Sequence, residues 1–98
     1  MSNIPHEVVV QSIKDEKNSR TLKVSISENG ELVLAGYDVG DAARELWGHD
    51  DYEYQVTVPA EYKDYALLLL MKERFATSSA FTEWLQKNDI PQTFSSWP

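Results

Sequence analysis

The sequence predicts an α+β domain: a mainly antiparallel sheet of about four strands with two C-terminal helices packed on one face. Three observations lead there. Residues 21–27 alternate strictly, with Leu22, Val24 and Ile26 on one side and Lys23, Ser25 and Ser27 on the other, the period-2 pattern of a half-buried strand. Asn29-Gly30 comes directly after, a dipeptide suited to a tight hairpin. Residues 65–71 are then apolar around nearly the whole circumference of a helix.

The first strand is expected over residues 6–14, where Val8, Val9, Val10 and Ile13 form a β-branched run. Residues 15–19 are a polar, charged turn. The alternating segment is the second strand. Asn29-Gly30 tolerates positive φ at both centres of a type I′ turn, and returns the chain as a third strand over 31–37 with Leu32 and Leu34 facing the core. Gly36, Gly40 and Gly48 punctuate the next segment. A short helix is expected over 41–47, with Asp41 at the positive end of its dipole and Gly48 as its stop. Tyr52, Tyr54, Val56 and Val58 alternate with Glu53, Gln55 and Thr57, a fourth strand that ends at Pro59.

Pro59 and Ala60 open a helix running to about residue 76. Apolar on all sides, it must be covered on more than one: by the sheet, and by a last helix. Thr77-Ser78-Ser79 supplies a break and a cap, and residues 80–87 carry Phe81, Trp84 and Leu85 on one face, expected in the core. Residues 89–98 read as a tail, with Pro91 blocking helix and Phe94 and Trp97 as anchors. The order is β-β-β-α-β-α-α, in a single domain spanning residues 1–98.

Ninety-eight residues suffice for one core, and 42% hydrophobic with 26% charged residues is a globular composition. There is no cysteine, which excludes disulfides, thiolate chemistry and sulfur-ligated zinc, and fits a reducing cytoplasm. The first residues carry neither a basic n-region nor an apolar h-region, so no signal peptide is expected. The longest apolar run, residues 66–71, falls far short of the roughly 20 that span a bilayer. A soluble, cytoplasmic protein without a membrane partner is the expectation.

The net charge of −7 is concentrated: residues 28–64 hold ten acids and only two bases, Arg44 and Lys63. Tyr37, Trp47, Tyr52, Tyr54 and Tyr62 lie in the same stretch. Acids with aromatic anchors favour a cationic protein and repel nucleic acid and anionic lipid. The candidate partner-binding residues are therefore Asp38, Asp41, Glu45, Trp47, Asp50, Asp51, Tyr52 and Glu53. Trp47, beside Gly48 at a helix end, is the expected exposed anchor. Tyr52 and Tyr54 share the face of Val56 and Val58, so at least one of these rings is expected in the core.

Other chemistries find less support. Asp38, Asp41, Asp50, Asp51 and Glu53 lack the spacing of an EF-hand loop, and neither His6 nor His49 has a helical i, i+4 partner, so no metal and no cofactor is expected. Gly36-Tyr-Asp-Val-Gly40 lacks the Lys-Ser/Thr ending of a phosphate loop, and no Gly-x-Ser-x-Gly occurs. Acids are abundant enough for a glycosidase-like carboxylate pair, but so short a chain rarely builds the deep pocket around one. A non-enzymatic protein is expected.

Leu32-Val-Leu-Ala-Gly36-Tyr-Asp38-Val-Gly40, with Tyr52-Glu-Tyr54 and Thr57-Val-Pro-Ala-Glu61, resembles a group of short, acidic, uncharacterised bacterial proteins, over roughly residues 31–70. That resemblance implies no chemistry. In size, acidity, missing cysteine and acidic-aromatic segment, the chain is similar in type to immunity proteins of contact-dependent growth inhibition and related toxin systems. The likeness implies binding over the active site of a toxin domain, often a basic nuclease. The alternative is a housekeeping or regulatory interaction domain whose acidic face serves solubility, a reading that a stable homodimer through the Trp84 helix or the Trp97 tail would favour.

Overall fold

The computed structural model describes residues 5–48 and 51–97, which divide into two compact units, residues 1–64 and 65–98. Unit one is a four-stranded antiparallel meander: β1 (Glu7–Lys14), β2 (Asn18–Ile26), β3 (Leu32–Gly40) and β4 (Asp51–Val58), side by side in chain order. Helix α1 (Asp41–Trp47) lies between β3 and β4 in sequence and packs on both. Helix α2 (Ala60–Arg74) begins in unit one and continues into unit two, where α3 (Ser78–Lys87) comes next. The α+β class and the order β-β-β-α-β-α-α are those expected. Among the described residues, no helix is long and apolar enough to cross a membrane.

The β1–β2 connection is built by one carboxylate. Asp15 Oδ1 accepts the Lys17 and Asn18 amides at 2.9 and 2.8 Å, while the Asp15 amide donates to the Asn18 carbonyl at 2.8 Å. Those two amides hold the Asp15 pKa below its ordinary value.

The β2–β3 turn differs from the expected type I′. Gly30 has φ 81° and is the turn's one residue with positive φ; Asn29 does not join it. The Gly30 amide donates to the Ser27 carbonyl at 2.9 Å, and the Ser27 amide to the Glu31 carbonyl at 2.9 Å. The loop is therefore Glu28, Asn29 and Gly30, closed by the Glu31 amide on Ser27 Oγ at 3.1 Å. Side-chain parity explains the extra residue. Leu22, Val24 and Ile26 share a face with Leu32 and Leu34 because Ile26 stands opposite Leu32 and Val24 opposite Leu34. A two-residue turn at Asn29-Gly30 would slip the ladder by one and set Leu22 against Tyr37. Burial of one apolar face wins over the turn preference of a dipeptide.

The hairpin is also longer than the alternation suggests. β2 begins at Asn18 and β3 runs to Gly40, because residues 18–21 pair with residues 37–40. Two glycines in β3 are steric necessities. The Tyr54 ring lies across Gly36, and a methyl group there would overlap it. Gly40, at φ 121°, passes against the Lys17 carbonyl and Asn18, where a methyl would again collide.

Register sorts the sheet into two faces. One carries Val8, Ile13, Leu22, Val24, Ile26, Leu32, Leu34, Val56 and Val58, together with Tyr52 and Tyr54; the other carries Lys23, Tyr37, Asp51 and Glu53. Among residues whose burial is described, only Gly36 and Ala43 are buried.

In unit two, Thr77 caps α3, its hydroxyl accepting the Ala80 amide at 3.1 Å. Phe81 and Trp84 differ from expectation: they form an aromatic cluster with Phe75 but are not buried, since neither helix has a buried residue. Two helices by themselves provide only one line of contact. Phe94 and Trp97, the expected anchors of the tail, are 80% and 89% exposed.

Candidate protein-binding site

The site predicted from the acidic stretch is centred on α1 and the start of β4. Gly40, as N-cap, and Gly48, in left-handed conformation as C-cap, confine α1 to seven residues. Asp41 lies in its first turn, where the helix dipole favours a carboxylate, and Glu45 projects one turn later; both are exposed. Ala43 is the helix's buried contact with the sheet. Leu46 is 69% exposed and Trp47 49% exposed.

Trp47 is held in place. Its ring stacks on Tyr52 at 4.3 Å between centroids and 16° between planes, and Tyr52 stacks on Tyr54 at 5.5 Å. Tyr54 in turn lies over Gly36, so a row of three rings joins α1 to the middle of the sheet. Tyr52 and Tyr54 are half-buried, which leaves Trp47 as the exposed end of the row. A stacked ring loses little further freedom on docking.

The acids are not all brought together. Asp38 stands opposite Tyr52 in the ladder and faces the same side, but Arg20 claims its carboxylate through two hydrogen bonds, Nε to Oδ1 at 3.1 Å and Nη2 to Oδ2 at 3.3 Å. The hydrogen bond and the charge of Asp38 together raise the Arg20 pKa. Asp38 is therefore neutralised and shielded, its side chain only 16% exposed. Asp51 and Glu53 alternate with Tyr52 and so point to the opposite face. There they flank Tyr37, whose hydroxyl donates to Asp51 Oδ2 at 3.5 Å. Partial burial, then the charges of Asp51 and Glu53, push the Tyr37 pKa above its ordinary value. Asp50 and His49 lie outside the described residues.

Three participants are not evident from the sequence. Arg20 could have been found by extending the Leu22, Val24, Ile26 face back by one step. Leu46 carries no signal beyond its place next to Trp47. Tyr37 reads as one more aromatic until the register sets it opposite Glu53. Beneath α1, Ile13, Arg20, Asp38, Ala43 and Leu46 border a hollow of about 180 Å³. That is less than the ~300 Å³ of the smaller ligand pockets. Among the described residues, no group of three or more His, Cys, Asp or Glu could hold a metal ion.

The arrangement is an exposed aromatic anchor on a short, acid-bearing helix, beside an outer strand with carboxylates on its far face. Such a surface can dock and exclude. No family model matches the sequence, and comparison with curated proteins and with solved structures finds no match either.

Proposed function

We propose that the chain binds a cationic protein through the α1–β4 corner, as an immunity-type inhibitor that covers the active site of a toxin domain, a nuclease foremost. The observation that carries this is Trp47: half exposed, clamped on Tyr52, and preceded on its own helix by exposed Asp41 and Glu45. Tryptophan anchors ringed by polar groups are typical hot spots of protein interfaces. β4 is one of the sheet's two outer strands, so a partner straddling its outer edge meets Asp41 and Glu45 on one side and Asp51 and Glu53 on the other. In a nuclease cleft, lined with Lys and Arg to hold phosphates, those carboxylates would take the phosphate positions. Inhibition is then steric and electrostatic.

The test is binding to a basic toxin domain encoded beside this chain's gene. Trp47→Ala should raise Kd about 30-fold or more, the loss of one hot spot. Asp41→Lys with Glu45→Lys should slow association and flatten its salt dependence. An association rate equal at low and high salt, with Trp47→Ala binding unaltered, would overturn the reading. The Asp38–Arg20 pair favours a second reading, a regulatory interaction domain with a less basic partner, because it removes one carboxylate from the acidic field.

A further inference from the structure

In the β2–β3 loop an exposed asparagine, Asn29, stands directly before a glycine, which has no side chain to obstruct its own amide nitrogen. A backbone amide in that position is the internal nucleophile of asparagine deamidation. The Gly30 nitrogen gives its proton to hydroxide and attacks Asn29 Cγ. A five-membered succinimide closes, and Nδ2 leaves as ammonia, taking a proton from water. Water then opens the ring. Attack at Cγ leaves an ordinary aspartate at position 29; attack at the backbone carbonyl leaves isoaspartate, with the main chain routed through Cβ.

The fold restrains this step at the nucleophile. The Gly30 amide donates its proton to the Ser27 carbonyl at 2.9 Å, which keeps it from hydroxide. The Glu31 amide, on Ser27 Oγ at 3.1 Å, fastens the loop from its other end. The start of α2 lies beside it: a methyl group on Gly30 would sit 3.5 Å from Ala60 Cβ and 3.8 Å from Lys63 Nζ. Charge does not decide the matter, since Glu28 and Glu31 disfavour an amide anion and Lys63 favours one. The hydrogen bond decides it, for as long as the loop stays closed.

We propose that Asn29 is a site of spontaneous deamidation, held in check by the closed β2–β3 loop and released when the hairpin opens. Refolding cannot undo the change. It adds a carboxylate next to Glu28 and, as isoaspartate, one backbone carbon to a loop whose length sets the pairing of β2 with β3. Asn29 thus records how long a chain has spent with this hairpin open. None of these residues belongs to the α1–β4 corner, so the two proposals fail separately.

The test incubates the full chain at mildly alkaline pH, folded in buffer and unfolded in guanidinium chloride, and then digests it with trypsin. The fragment 24–44 has Asn29 as its only side-chain amide, so the mass gain of replacing NH₂ by OH reports this site alone. Conversion should be slower in the folded chain by about tenfold or more. Ser27→Ala removes the hydroxyl that accepts the Glu31 amide, and should speed conversion of the folded chain but not of the unfolded one. No conversion in the unfolded chain overturns the site. Equal rates in the folded and unfolded wild type, or a folded Ser27→Ala chain that converts no faster than wild type, overturn the restraint by the loop.

Discussion

A tyrosine hydroxyl reports the field its neighbours create. Tyr37 titrates above its ordinary value because it is partly desolvated and because Asp51 and Glu53 disfavour a phenolate beside them. With the folded pKa raised, the neutral phenol is the form that folding favours. Its contribution to stability is complete below the unfolded value, near pH 10, and is lost as pH climbs through the folded one. Glu53→Gln should move the Tyr37 midpoint down towards the ordinary value, tracked by the ring resonances of this one tyrosine across an alkaline titration. A midpoint that does not move would mean Glu53 contributes nothing to the potential on that face. Arg20 illustrates the opposite case, a residue that cancels a field. By taking Asp38 it turns one of the expected docking carboxylates into a cross-strand tie.

At the scale of the element, the β2–β3 hairpin teaches most about what the sequence contains. Its existence is legible in the alternation of residues 21–27 and in Gly30. Its register is legible too, but in parity rather than in the turn dipeptide: Leu22, Val24, Ile26, Leu32 and Leu34 all bear even numbers, which requires an odd loop. The strand's extension to Gly40 is harder to read, because Asn18, Ser19 and Thr21 bring no apolar signal and pair only once the register carries them there. Parity alone sets Arg20 on the Leu22 face, but its meeting with Asp38 shows only once the register is known. The parity of β4 is open to inspection, and by itself it separates Asp51 and Glu53 from Tyr52. The C-terminal helices are legible in type and cap. Thr77→Ala removes the acceptor of the Ala80 amide and should destabilise α3 by about 1 kcal/mol, measured by chemical denaturation. A loss below a few tenths of a kcal/mol would mean that water replaces the hydroxyl.

For the molecule as a whole, composition foretells a globular chain, but not its division into two compact units. A scan of periodicity finds apolar faces without saying what lies on them. The sheet's other outer strand has a consequence of its own. Val8, Val9 and Val10 lie on β1, whose far side has no strand beside it among the described residues. Left straight, such a segment would template the stacking of chain upon chain into fibrils. The register shift between Val9 and Gln11 breaks the ladder in mid-strand, so an incoming strand can zip along only part of it. One surplus valine thereby acts as a stop against fibre growth.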